Sequence, residues 1–217
     1  MIIWIYGKPY SGKTTFASQF PNAYFISLDK NAQFLTDNYV NVSNIDDYSK
    51  AIKNFMDDPK EYDTLVIDTI DLLEQYVRSY YLDKFGIEDE SDREDFGKAW
   101  RLVREGTFQA ILKATAFEGN VIFISHETET ITKNAVGKEI SNFAPGINKK
   151  LHSRIAGLTT LIGRAYKDSK KVSGQVINRY FISFGSNSEE LSGTRLQLKD
   201  NLIENKYDEF VKIIGKA

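Results

Sequence analysis

Residues 2–16 read IIWIYGKPYSGKTTF, and this stretch decides the fold. A short run of β-forming residues is followed at once by G-x-x-x-x-G-K-[ST], the pattern of a phosphate-binding loop. The pattern lies after a predicted strand and before a predicted helix, which is the context that separates such a loop from a chance match. The two glycines allow backbone conformations that other residues avoid, so successive N–H groups can turn inward around a phosphate. Residues 2–16 therefore predict a nucleotide-binding strand, loop and helix.

The polar residues of the loop have distinct expected roles. Lys13 is expected to be exposed at the loop mouth and to reach the β- and γ-phosphates, while the Thr14 hydroxyl would ligate Mg²⁺. Thr15 would point toward the α-phosphate. The predicted nucleotide-binding residues are Gly7, Lys8, Pro9, Tyr10, Ser11, Gly12, Lys13, Thr14 and Thr15. The predicted ligands are ATP and Mg²⁺, and the alternative is a glycine-rich turn without a ligand.

Length and composition restrict the class of protein. With 217 residues, 41% of them hydrophobic, the chain can bury one sizeable core, which favours a single domain over residues 1–217. We divide it into a core, 1–156, and a C-terminal hairpin and tail, 157–217. The absence of cysteine excludes disulfides and a thiol nucleophile and suits the cytoplasm. No stretch approaches the roughly 20 apolar residues of a membrane helix, so we expect no membrane partner.

Apolar runs and helical stretches alternate along the first part of the chain. The predicted strands are 2–6, 23–28, 64–68 and 121–125, and the predicted helices are 13–20, 45–56, 71–85 and 96–117. This order predicts an α/β fold, a P-loop core with a mostly parallel central sheet flanked by helices. The acidic residues 86–95 are predicted to form an exposed loop. Two alternating segments, 158–166 and 176–184, predict a β-hairpin appended to the core.

Two carboxylates end predicted strands. Asp68 closes the strand in YDTLVIDTID, where a carboxylate can hold the outer shell of a magnesium ion; a helix N-cap is the alternative. The next residue is Thr69, so a catalytic glutamate next to Asp68 is missing. Asp29, at the end of the second strand, is the candidate base that positions water, and a capping or turn aspartate is the alternative.

The strand in VIFISHE ends at a third group of polar residues. Ser125 or His126 could hydrogen-bond the γ-phosphate, although an isolated histidine can also be structural. The predicted catalytic residues are therefore Lys13, Asp29, Asp68 and His126, and the predicted metal ligands are Thr14 and Asp68.

The order of these motifs resembles the RecA-type ATPase core, with Asp29 standing where that family has its catalytic glutamate. The chain as a whole resembles small phage-encoded RecA-like P-loop ATPases, the single-domain group that includes phage single-strand annealing proteins. The likeness extends to FGKAWRLVREGTF with Trp100, FAPGINKKLHSRIAG and GTRLQLKDNL. The resemblance implies ATP hydrolysis. Because Asp29 is shorter than the glutamate of that family, we expect hydrolysis to be slow.

Charge is divided unevenly along the chain. Residues 1–130 hold 13 Lys and Arg against 22 Asp and Glu, whereas residues 131–180 hold 10 against 2. In RecA-like proteins the region after the strand that corresponds to VIFISHE is a mobile loop that touches single-stranded DNA. By this likeness the candidate DNA contacts are Lys133, Lys138, Phe143, Lys149, Lys150 and Arg154. The alternative is a solvated basic face or a subunit interface.

The resemblance also implies a homo-oligomer in which a cation from one subunit reaches the next active site. The candidate cations are Arg164, Lys170, Lys171, Arg179, Arg195 and Lys199. The predicted function is thus an ATP-dependent protein that binds single-stranded DNA in phage recombination or replication. A small-molecule or nucleoside kinase, and a nucleotide-dependent interaction module with little turnover, are the alternatives.

Overall fold

The computed structural model describes residues 1–59, 61–89, 97–133, 137–172, 175–185 and 189–215. Within these residues the strands are β1 Ile2–Gly7, β2 Ala23–Ser27, β3 Tyr39–Asn41, β4 Thr64–Asp68, β5 Asn120–Lys133, β6 Glu139–Pro145, β7 Leu161–Val172, β8 Gln175–Ser183, β9 Gly193–Thr194 and β10 Leu202–Glu204. The helices are α1 Lys13–Ser18, α2 Ile45–Asp57, α3 Ile70–Phe85, α4 Lys98–Ala114, α5 Lys149–Leu158 and α6 Tyr207–Ile214, with a 3-10 turn at Ala32–Phe34.

The strands form one central sheet in the order β10-β8-β7-β1-β5-β4-β2-β3, with β6 added to β5 and β9 to β7. The neighbouring strands β7, β1, β5, β4, β2 and β3 all run parallel to one another. Strand β8 runs antiparallel to both of its neighbours, β7 and β10. The predicted α/β class with a mostly parallel sheet and flanking helices is confirmed. Parallel neighbours bring the carboxyl ends of β1, β2, β4 and the first half of β5 to the same edge of the sheet.

The central strands are apolar without alternation because both faces of the sheet are covered. Trp4 and Tyr6 of β1 face the cluster formed with α2 to α5, whereas Ile3 and Ile5 face α1 and α6. Successive side chains of a strand point to opposite faces, so one six-residue strand contributes to both cores.

The ends of helices α2 and α3 carry residues that commonly cap helices. The Asn44 side chain accepts a hydrogen bond from the Asp47 backbone N–H at 2.8 Å and begins α2. Gly86 ends α3 in the left-handed conformation, at φ 63°. Residue 96 and residues 90–95 of the predicted acidic loop lie outside the described residues.

The region after β5 differs from the expected mobile loop. β5 continues to Lys133 and pairs antiparallel with β6, from Glu127 opposite Pro145 to Lys133 opposite Glu139. The alternating threonines of residues 128–132 favour an extended chain, which accounts for the difference. This β5–β6 hairpin was not predicted.

The C-terminal hairpin of β7 and β8 is confirmed, but it is not an appendage. β7 lies parallel to β1, with Gly7 opposite Ala165, so the segment after residue 156 supplies a strand to the centre of the sheet. In the described part of the chain, no helix has both the length and the apolar character needed to cross a membrane.

Candidate nucleotide-binding site

The loop between β1 and α1 is held closely by its neighbours. A Cβ added at Gly7 would lie 2.2 Å from the carbonyl oxygen of Ala165, so only glycine fits there. Gly12 adopts a φ of 87° immediately before α1, in the region that favours glycine. The two glycines of the motif are therefore required by the packing and by the turn.

Lys13 lies inside the loop. Its Nζ donates to the carbonyl oxygens of Gly7 and Lys8 at 2.8 and 2.9 Å, and the residue is 7% exposed. The expectation of an exposed lysine is wrong, because the loop curls around the ammonium group and accepts two hydrogen bonds from it. Burial lowers the pKa of Lys13, and the nearby carboxylates, led by Asp68, oppose this effect.

Thr14 and Asp68 meet across the sheet. The Thr14 hydroxyl, on α1, donates to Asp68 Oδ2, at the end of β4, at 2.8 Å. In the sheet, β5 lies between β4 and the strand β1 that precedes α1. Asp68 is fully buried, and its Oδ1 has no hydrogen-bond partner among the described residues. Burial, followed by the charge of Asp29, raises the pKa of Asp68 to about 7.

An unpartnered carboxylate oxygen beside a threonine hydroxyl fits a hard cation such as Mg²⁺. In the described ranges, no group of three or more His, Cys, Asp or Glu side chains could hold a metal ion. A magnesium ion at Thr14 and Asp68 would therefore depend on nucleotide phosphates for further ligands.

Asp29 forms the contacts of a turn aspartate and also lies at a cavity. Its carboxylate accepts hydrogen bonds from the Asn31 backbone N–H at 3.0 Å, from Asn31 Nδ2 at 2.7 Å and from the Ser27 hydroxyl at 3.2 Å. These contacts are those of a turn aspartate. Asp29 also lines a cavity of about 390 Å³ together with the loop, Asp68 and His126. The turn holds its carboxylate at the site.

His126 is fixed by a residue that the sequence analysis missed. Asp71 accepts a hydrogen bond from the His126 backbone N–H at 3.0 Å, and its other oxygen lies 2.7 Å from His126 Nδ1. This contact raises the pKa of His126. The available signal was the position of Asp71, three residues after Asp68 in the first turn of α3.

Ser125 does not share the position of His126. It is fully buried, and its hydroxyl accepts a hydrogen bond from the indole N–H of Trp4 at 3.0 Å. Ser125 therefore contacts Trp4 on the face of the sheet that packs against α2 to α5. His126, in contrast, lines the cavity.

The six candidate DNA contacts lie on or beside three elements, β5, β6 and α5. Lys133 lies at the end of β5, whereas Lys149 and Lys150 are exposed at the start of α5. Arg154 donates to Glu105 at 2.9 Å. Lys138 is exposed and precedes β6.

Phe143 is half-buried and contacts other side chains. Its ring lies 3.5 Å from the Arg164 guanidinium carbon, and it packs against the buried core on the α2 to α5 side. This arrangement does not support the predicted base-stacking role of Phe143.

Three arginines were candidates for reaching the active site of a neighbouring subunit. In the structure each of them makes hydrogen bonds or ion pairs within its own chain. Arg164 donates to Glu127 at 2.7 Å, and the Glu127 side chain is 1% exposed. Arg179 pairs with Glu204. Arg195 donates to the carbonyl oxygen of Thr159 at 2.8 Å, near the end of α5. Of the candidate lysines, Lys170 lies 3.6 Å from Asp168, while Lys171 and Lys199 are exposed.

Similarity to a known protein family extends over most of the chain. A family described as an AAA domain matches residues 1–196, which include the loop, Asp29, Asp68 and His126. The chain is also similar to the SPbeta prophage-derived uncharacterized protein YorG of Bacillus subtilis (strain 168), with 22% identity over 133 residues. That match covers 59% of this chain and 41% of the relative, so the chain spans less than half of the relative's length. Since the family match extends over most of the chain, the protein belongs to the AAA domain family.

Proposed function

We propose that this protein binds ATP with Mg²⁺ and hydrolyses it to ADP and phosphate. The observation that carries the proposal is the hydrogen bond of Thr14 to the buried Asp68, directly beside the phosphate loop. These two residues would hold magnesium, which supplies charge neutralisation at the phosphates. Lys13 would exchange its contacts with the loop carbonyls for phosphate oxygens.

The cavity beside Asp68 provides the remaining groups for hydrolysis. The carboxylate of Asp29 is held there by Ser27 and Asn31, and in this proposal it orients the attacking water. His126 is held by Asp71 at the same cavity and would hydrogen-bond the γ-phosphate. The RecA-like likeness supports this assignment of roles.

Calorimetric titration with ATP and magnesium tests the binding step. Lys13→Ala should weaken ATP binding roughly 10- to 100-fold, because a charge-assisted contact is lost. Lys50→Ala is the control, since Lys50 is an exposed lysine of α2. Equal ATP affinity in Lys13→Ala and in the parent would overturn the proposal.

A phosphate-release assay tests the role of Asp29. Asp29→Asn should keep ATP affinity and lose turnover, because a water-orienting carboxylate acts chiefly on the transition state. Asp37→Asn, at an exposed position, is the control. Unchanged turnover in Asp29→Asn would leave Asp29 with its turn-forming role alone.

We further propose that the ATPase acts on single-stranded DNA during phage recombination or replication, as a cytoplasmic homo-oligomer. The support is the basic segment 131–180, the exposed Lys149 and Lys150 at one end of α5, and the similarity to a prophage-derived protein. β5 carries His126 and continues into the β5–β6 hairpin, so phosphate at His126 could change the position of that hairpin. ATP should therefore tighten DNA binding.

Fluorescence anisotropy with labelled single-stranded DNA tests this step. Combined reversal of Lys149 and Lys150 to glutamate should weaken binding and reduce the salt dependence, by roughly 0.7 in the slope of log affinity for each lost phosphate contact. Reversal of Lys50 and Lys53, on α2, is the matched control. If both double variants bind DNA as the parent does, the basic segment is a solvated face or an interface.

A further inference from the structure

The β7–β8 hairpin extends beyond the rest of the sheet. On one side, β1 ends at Gly7, opposite Ala165 of β7. On the other side, β10 reaches only Phe181 of β8, opposite Glu204. Residues 167–172 of β7 and 175–180 of β8 therefore have no strand partner except each other among the described residues. We call these two segments the distal ribbon, and six residues of extended chain make it about 20 Å long.

Neither face of the distal ribbon packs on the core. All of its residues are exposed except Asp168, which is half-buried. An isolated two-stranded hairpin is only marginally stable, so the distal ribbon depends on contacts at its root. There the Tyr180 carbonyl accepts a hydrogen bond from the Asn205 backbone N–H, and Asn205 Nδ2 donates to the Gly12 carbonyl, both at 2.9 Å. The distal ribbon thus projects from the sheet beside the phosphate loop.

The distal ribbon is basic, and its charges are divided between two faces. It carries three lysines and one arginine against a single aspartate: Lys167, Lys170, Lys171, Arg179 and Asp168. On one face Lys170 lies 3.6 Å from Asp168, which stands opposite Arg179 in the register, and Arg179 pairs with Glu204. The cations of this face are therefore paired within the chain.

The other face has cations without acidic partners. It is formed by alternate residues of the two strands, Lys167, Ser169 and Lys171, which stand opposite Tyr180, Asn178 and Val176. Lys167 and Lys171 are exposed and form no ion pair with the described residues. The Ser169 hydroxyl donates to Asn178 Oδ1 at 2.7 Å, which leaves the Asn178 NH₂ available as a donor. Two ammonium groups and an amide NH₂ suit a partner that is negatively charged and rich in acceptors.

We propose that this face of the distal ribbon binds duplex DNA across the major groove. The proposal goes beyond the proposed function and does not depend on ATP. A two-stranded β-ribbon fits the major groove, which is about 12 Å wide. Lys167 and Lys171 lie four residues apart on one strand, about 13 Å along it, so their ammonium groups can reach phosphates on both edges of the groove. The Asn178 NH₂ lies between them and can donate to acceptors on the base edges.

The scarcity of aromatic side chains favours a duplex over a single strand. Proteins hold single strands largely by stacking bases on aromatic rings, in addition to cations. Tyr180 is the only aromatic residue in the sequence of the distal ribbon, and it lies at the root, where its ring packs beside Gly12. Beyond Tyr180 this face presents lysines, polar groups and one valine. A duplex needs only these phosphate and base-edge contacts.

Fluorescence anisotropy of the full chain with a short labelled duplex, without nucleotide, tests the proposal. Combined Lys167→Glu and Lys171→Glu should weaken duplex binding about tenfold or more. The slope of log affinity against log salt should fall by roughly 0.9 for each lost phosphate contact. Combined Lys50→Glu and Lys113→Glu is the control, because it makes the same change of charge at exposed positions on α2 and α4 and should leave the slope unchanged.

Two adjacent lysines compare the faces directly. Lys170→Gln and Lys171→Gln each remove one positive charge from an exposed residue, but on opposite faces of the distal ribbon. Lys171→Gln should lower the salt slope for the duplex by roughly 0.9, whereas Lys170→Gln should leave it unchanged. Reversal of Lys149 and Lys150, on α5, should leave duplex binding unchanged, which separates this surface from the one proposed for single-stranded DNA.

Three results would overturn the proposal. The first is a parent that does not bind the duplex at low salt. The second is equal weakening by Lys170→Gln and Lys171→Gln, or by the ribbon pair and the control pair, since binding would then follow net charge and not this face. The third is a ribbon pair that binds the duplex as the parent does but changes the sedimentation of the protein alone, which would assign the face to a second copy of the chain. ATP affinity is measured without DNA, so none of these results bears on the proposed ATP binding.

Discussion

Replacing Asp68 with asparagine should make the nucleotide-free protein more stable relative to the parent as the pH rises. Asp68 is fully buried, and its pKa is raised from 3.8 to about 7. The folded state therefore favours the protonated carboxyl. This contribution to stability is fully present below pH 3.8 and is lost as the pH rises toward and through about 7. Asparagine does not titrate, so it does not lose this stability.

The two pKa values set the size of the effect. A shift from 3.8 to about 7 corresponds to a loss of parent stability, relative to low pH, of roughly 2 kcal/mol at about pH 5.5 and roughly 4 kcal/mol at about pH 8.5. The asparagine oxygen can still accept from Thr14, while its NH₂ would replace the unpartnered Oδ1 at a constant cost of about 1–3 kcal/mol. This constant cost cancels when the two pH values are compared. The pH-dependent gain is therefore roughly 2 kcal/mol.

Urea unfolding of parent and Asp68→Asn at the two pH values, with EDTA present, measures this difference. The advantage of asparagine should grow by roughly 2 kcal/mol from the lower to the higher pH. Asp37→Asn, at an exposed position, should show no such growth. With magnesium and ATP present, Asp68→Asn should bind ATP more weakly than the parent does. An advantage that is the same at both pH values, or that shrinks, would refute the idea that burial of the Asp68 charge destabilises the folded protein.

Three further predictions concern the surroundings of the loop. Asp71→Asn should lower the pKa of His126, because the contact that raises it is lost while burial remains; NMR titration of the imidazole should show this, and an unmoved pKa would refute it. Glu127→Gln should lower the free energy of unfolding by about 2 kcal/mol, because Arg164 loses the nearer of its two buried carboxylate partners and keeps Glu190; urea unfolding measures this, and a change near zero would count against a buried pair. Tyr10→Gly should raise the melting temperature slightly, by the equivalent of about 1 kcal/mol, because glycine relieves the strain at φ 61°; a lower melting temperature would contradict that.

The sequence predicted well those features whose residues lie close together in the chain. The strand, loop and helix of residues 2–16 were predicted because the glycine spacing and the β-forming run are local. The strand ending at Asp68 was predicted because a buried parallel strand is apolar throughout. The β5–β6 hairpin was missed because the expectation of a mobile loop came from a resemblance, while the alternation of threonines in the chain itself favoured a strand.

The sequence alone therefore determined the phosphate loop and the parallel α/β fold, since backbone conformation and burial pattern are encoded within short segments. Only the tertiary structure decided which distant groups meet. Asp71 reaches His126 across 55 residues, and Asn205 reaches Gly12 across 193. No local pattern encodes these contacts, because they depend on the order of strands in the sheet, which is set by packing of the whole chain. For the same reason Lys13 is buried rather than exposed, since its surroundings come from the folded loop and from carboxylates on other strands.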